Sequence, residues 1–141
     1  MTTSTLMTDN LKSVMVLVHP DLPHDPVNRQ NQVGVISHAD LMNDDIFVSF
    51  EGEQGLYASN ALLTLLPAEE IHQNLADMAY ETPFRELKAL TQVDLFLRYG
   101  SENKEKMAME IARLNPDIRR FCLDTLARQI AKDIAKNYGR E

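Results

Sequence analysis

The chain is poor in cysteine, in cationic charge and in long apolar runs, and each shortage removes a class of function. Its single cysteine, Cys122, has no partner for an internal disulfide and belongs to no CxxC pair. No apolar run approaches the roughly 18 residues needed to span a bilayer. The opening stretch MTTSTLMTDN has neither the basic region nor the apolar core of a secretory signal, and it reads as part of a polar tail over 1–11. GxSxG, GxGxxG and P-loop patterns are all missing, so no catalytic constellation is recognisable. With 14 Lys and Arg against 21 Asp and Glu, the net charge is −7, the wrong sign for a phosphate backbone. These absences lead us to expect a cytoplasmic protein with no membrane span, no cofactor and no enzymatic activity.

What is present is organised around residues 33–66. Apolar and polar residues alternate there through Val33, Val35 and Ile36, then through Ile46, Val48 and Phe50, with Gly52 and Gly55 marking the bend. Period-two alternation around glycines predicts a half-buried antiparallel hairpin. Such a hairpin is marginal alone, so VMVLV at 14–18 and ALLTLL at 61–66 are expected to pair with it. Between them lies HPDLPHDPVNRQNQ at 19–32, a long loop stiffened by three prolines. Ser59-Asn60-Ala61 reads as one tight helical turn before the fifth strand. The expected interior is Val16, Val18, Val35, Ile46, Val48, Leu62 and Leu65.

The order of strand, long loop, hairpin, strand, short turn and strand over 13–66 resembles that of small barrels of the Src-homology-3 and KOW type. The resemblance rests on Gly55 to Leu62, which looks like the entry to the last strand of those barrels. Gln32-Val33-Gly34-Val35-Ile36 is similar to the start of a KOW hairpin. It implies a five-stranded barrel. It does not extend to polyproline recognition, because the chain has no tryptophan and Ala58 and Ala61 replace the proline and aromatic expected beside Ser59-Asn60.

From Pro67 the period lengthens to that of a helix. Pro67, Thr82-Pro83, Ser101 and Asn115-Pro116 read as four helix starts, and Gly100 and Gly139 as stops. The apolar faces are Ile71, Leu75 and Met78; then Phe84, Leu87, Leu90, Val93 and Leu97; then Met107, Ala108, Ile111 and Leu114. The final helix carries a stripe from Ile118 through Phe121, Cys122, Thr125, Leu126, Ile130 and Ile134 to Tyr138. The fold class expected is therefore α+β: a barrel over 13–66 followed by a four-helix region over 67–139.

Two stretches could carry chemistry. His19, Asp21, His24 and Asp25, with His38 and Asp40 beyond, offer zinc-type ligands, but HPDLPHD matches no ligand spacing with a geometric rationale. The bland alternative is a polar loop whose aspartates bond neighbouring amides. Arg119, Arg120, Arg128, Lys132, Lys136 and Arg140 give the last helix a basic side, which usually means only a solvated face. Cys122 falls on the apolar stripe, where a thiol behaves as a small hydrophobe.

The reading is a non-enzymatic protein-interaction module. Its final helix is expected to rest on the preceding helices from Phe121 to Ile130. Ile134 and Tyr138, with Lys132, Lys136 and Arg140, are expected to meet a protein partner or a second copy of the chain. The rival is a metal-binding protein or hydrolase using His19, His24 and His38. A third reading, a nucleic-acid regulator acting through the basic helix, is disfavoured by the overall charge.

Overall fold

A computed structural model of the chain describes residues 11–138, so Gly139 and Arg140 and all but the last residue of the expected tail lie outside the described residues. The strands are β1 (Met15–Val18), β2 (Val33–Asp40), β3 (Asp45–Phe50), β4 (Glu53–Tyr57), β5 (Leu62–Leu65) and β6 (Leu123–Thr125). The helices are α1 (Ala68–Met78), α2 (Phe84–Tyr99), α3 (Lys104–Leu114), α4 (Arg119–Cys122) and α5 (Leu126–Tyr138), with 3-10 turns at Ser59–Ala61 and Pro116–Ile118. The α+β class holds. Closure into a five-stranded barrel does not: the strands form one open sheet in the order β4-β3-β2-β1-β5-β6, and the described residues contain five helices rather than four. The chain divides into a sheet unit, made of residues up to Thr64 and from Thr125 onward, and a helical unit, Leu65–Asp124.

In the sheet unit, β1 to β4 form an antiparallel meander in the order β1-β2-β3-β4, with β5 pairing on the other side of β1. Gly52, at φ 76°, supplies the left-handed residue of the tight β3–β4 turn. Gly55 is no bend; it lies within β4 opposite Val48. Val16, Val18, Ile46, Val48 and Leu62 are wholly buried, as expected. Val35 is not, and the reason is Gly34. A Cβ at Gly34 would sit 2.6 Å from Val48 Cγ1 and 2.7 Å from Phe50 Cε1, so the inner face has room there only for glycine. That parity sends Val33 and Val35 outward and Ile36 inward. The register then shifts between Ile36 and His38, a bulge that brings Ala39 rather than His38 to the core. Leu65 is likewise only half-buried, whereas Thr64 and Leu66 on either side are covered.

In the helical unit, Ile71, Leu90, Val93, Met109, Ile118 and Cys122 are fully excluded from solvent. Two expected starts move. Thr82 does not cap α2; its hydroxyl donates to Met78 O at 2.6 Å and closes α1 instead. α3 begins after Asn103, in the left-handed region at φ 66°, and not at Ser101. The faces also rotate: Ala108, Met109 and Ala112 are the buried side of α3, leaving Met107 and Leu114 exposed, and Phe84 of α2 is 77% exposed. Asn74 Nδ2 donates to Phe121 O at 2.9 Å, tying α1 to α4, and the Arg119 guanidinium donates to Ala112 O and Arg113 O at the end of α3, where backbone carbonyls lack helical partners.

The long final helix is broken. Cys122 O, which a continuous helix would offer to the amide of Leu126, accepts Leu66 N–H at 2.9 Å. Thr125, expected on the apolar stripe, instead receives Arg128 N–H on its hydroxyl at 3.2 Å, an N-cap bond that starts α5 afresh. Phe121 and Cys122 stay with the helices, as expected, but Leu126 joins the sheet unit's core and Ile130 packs against it.

Candidate functional site

The residues singled out at the C-terminus lie on α5, a helix of the sheet unit. Its apolar positions recur every four residues: Leu126, Ile130, Ile134 and Tyr138. Leu126 is 2% exposed and sits in a cluster with Val16, Val48, Tyr57 and Leu62. One turn on, Ile130 is partly covered by the same cluster. The stripe then runs beyond it, leaving Ile134 at 43% and Tyr138 at 57% exposure. Lys132 and Lys136 are exposed as well. Each stands two residues from an apolar position, about 200° round the helix, so the cations line the far side of α5 and do not rim the stripe. Arg140 lies outside the described residues.

The rival site at 19–40 is organised by Asp25. Its carboxylate accepts Val27 N–H at 2.9 Å, Arg29 N–H at 2.8 Å and the Tyr57 hydroxyl at 2.8 Å. Arg29 in turn donates to Glu53 Oε1 at 2.7 Å and to Gln32 Oε1 at 2.9 Å, and its guanidinium lies 5.2 Å over the Phe50 ring. Burial first, and then the bond to Asp25, push the Tyr57 phenol well above its ordinary value. Asn28 and Asn31, at φ 55° and 63°, take the left-handed turns of the loop. The loop is thus bonded as the bland reading expects. His19 Nδ1 accepts Asp21 N–H at 3.1 Å, His24 is exposed, and His38 stands on β2 with its ring 5.7 Å from that of Phe47. Among the described residues, no three His, Cys, Asp or Glu side chains gather closely enough to hold a metal ion.

Cys122 is fully buried, with Sγ donating to Ile118 O at 3.4 Å. Burial pushes its thiol up to about 12 against a smaller opposing pull from Arg119, so it is a protonated apolar group at neutral pH.

No family model, curated protein or solved structure matches this chain. Among the described residues, no helix is long and apolar enough to cross a membrane.

Sequence reasoning missed two constellations. One is the Asp25–Tyr57–Arg29 network, which joins residues 32 apart; Asp-Pro-x-Asn hinted at the turn but not at its distant partner. The other is Asp94 of α2, 2% exposed, which meets His72 Nδ1 of α1 at 3.2 Å and Arg98 Nη2 at 2.9 Å. Only the i,i+4 spacing of Asp94 and Arg98 was visible in the sequence.

Proposed function

We propose that this protein is a non-enzymatic interaction module that meets another protein through the distal half of α5. One observation carries the reading: the stripe that buries Leu126 continues without interruption to Ile134 and Tyr138, which lie outside the core cluster and stay about half exposed. A surface helix ordinarily turns polar where its core contact ends, and an aromatic kept exposed at regular spacing is typical of contact surfaces. Lys132 and Lys136, on the helix's other side, favour an acidic surface nearby. The sheet's strand order and its turn at Ser59–Ala61 support the resemblance to small Src-homology-3-type barrels, and a reducing cytoplasmic setting accords with the lone buried thiol.

The test is truncation after Ala131, compared with the full chain by light scattering and by affinity capture. The shortened protein is expected to melt cooperatively and to lose its partner, or its dimer if the partner is a second copy. An unfolded truncation product would return the stripe to the chain's own core and end this reading. Stoichiometric zinc in untagged protein, lost on His19→Ala or His24→Ala, would promote the metal-binding rival instead.

A further inference from the structure

The helical unit has an uncovered face of its own, chemically unlike that of α5. At about 100° per residue, Phe84, Arg85, Lys88, Gln92, Leu95 and Tyr99 fall within a sector of roughly 100° on α2. They lie on the other side of the helix from the buried Leu90 and Val93. All six are exposed, the three apolar ones by 77%, 44% and 74% for Phe84, Leu95 and Tyr99. The two acids of α2 are elsewhere: Glu86 faces away and Asp94 is buried. The nearest acids in the flanking loops, Glu81 and Glu102, lie beyond the two ends. In a chain of net charge −7, this face inverts the prevailing sign while exposing large apolar groups.

The Tyr99 end of the face is held in place. Arg98 donates to Asp94 Oδ2 from Nη2 at 2.9 Å and from Nε at 3.2 Å, and its guanidinium lies 5.0 Å from the Tyr99 ring. Asp94, gripped from α1 by His72, therefore fixes Arg98, and Arg98 steadies Tyr99. At the other end Phe84 follows Pro83, whose ring fixes its own φ, here −54°. Anchors already ordered lose less freedom on binding, and aromatic residues and arginine dominate the energetics of contact surfaces.

We propose that this face of α2 docks an acidic amphipathic helix from another protein, independently of α5. Phe84 and Tyr99 stand about 22 Å apart along the helix axis, some four turns. A partner helix of that length brings apolar residues every three to four positions to Phe84, Leu95 and Tyr99, and its carboxylates to Arg85 and Lys88. A nucleic acid would find too few cations here, since its affinity grows with the number of phosphates neutralised. A membrane surface would find the apolar sector interrupted by Gln92.

The probe is a fluorescent peptide of about 18 residues with leucines at helical spacing and glutamates elsewhere, titrated with the full chain by anisotropy. A lysine-for-glutamate peptide, phosphatidylserine vesicles and a single-stranded DNA are tested alongside it. The glutamate peptide is expected to bind saturably and to weaken with added salt. The double variants Phe84→Ser/Tyr99→Ser and Arg85→Glu/Lys88→Glu should each weaken it by about tenfold or more, with their melting curves unchanged. Ile134→Asp should leave it as in the parent chain, which separates this proposal from the reading of α5. No saturation, equal binding of the lysine peptide, preference for vesicles or DNA, or indifference to the α2 variants would each overturn the proposal.

Discussion

The sheet unit and the helical unit dispose of their large apolar side chains differently. On the strands, Val16, Val18, Ile46, Val48 and Leu62 are sealed, and among the described residues of this unit the large apolar side chains left exposed are Met42 in a turn, Leu56 on the outer side of β4 and Ile134 and Tyr138 at the end of α5. In the helical unit, Tyr80, Phe84, Tyr99 and Leu114 are each more than half exposed while smaller residues, Ala89, Ala108 and Ala112, are buried. A strand has two sides and assigns every residue to one of them. A helix lets a tight contact of alanines set the rotation, and bulkier neighbours are then turned to solvent.

The difference can be broken most severely in the sheet. Val48→Asp puts a carboxylate among Val16, Ile46 and Phe50, at a cost of several kcal/mol that rivals the whole stability of a domain. We expect no cooperative thermal transition in the sheet unit by circular dichroism; a soluble, cooperatively melting variant would refute the core assignment. In the helical unit, Leu90→Ala empties a fully buried site and should cost about 2–5 kcal/mol in denaturant titration. A cost under about 1 kcal/mol would mean that this unit has no tight interior.

Cys122 gives a smaller, pH-dependent effect. Its thiol is raised, so the folded chain holds the proton more tightly than the unfolded one. The stability it contributes is complete below the unfolded value of about 8.5 and is lost as pH rises toward 12, by at most about 1.4 kcal/mol per pH unit. Unfolding measured between pH 8.5 and 10 should show this slope, and Cys122→Ala should remove it. An unchanged slope in the variant would assign the dependence to another group. Least of all, Phe84→Ala should change stability by no more than about 0.5 kcal/mol, because its ring touches mostly water. A loss near that of Leu90→Ala would place Phe84 inside after all.

The same contrast explains what was legible in the residues. Alternation located the central hairpin, the apolar runs at 14–18 and 61–66 located β1 and β5, and the Ser59–Ala61 turn was visible where it occurs. Val35 was misplaced because the deciding fact, Val48 and Phe50 pressing on Gly34, lies across the sheet and not along the strand. The break before α5 was hidden for a similar reason: Cys122 O pairs with Leu66 N–H, more than fifty residues away in the chain. Thr125 was the local signal, an N-cap residue standing within an otherwise helical pattern. At the candidate surface, Ile134 and Tyr138 are exposed at the positions their spacing suggested, but the cations lie behind them and not beside them. The outward face of α2 was unreadable, since Phe84 fits a buried stripe equally well on paper.

Leu126 has a consequence for how the protein is made. It completes the interior of a unit whose first five strands are encoded by Leu65, with nearly all of the helical unit spelled out in between. A ribosome adding about 5–20 residues per second delivers it several seconds after β5. During that interval β1 to β5 can pair, but the nascent sheet lacks both β6 and the residue that finishes its interior. The intervening helices, whose contacts with one another are nearer in sequence, can fold while it waits. Synthesis order therefore favours a folded insert presented on an unfinished host, which closes only when the last helix emerges.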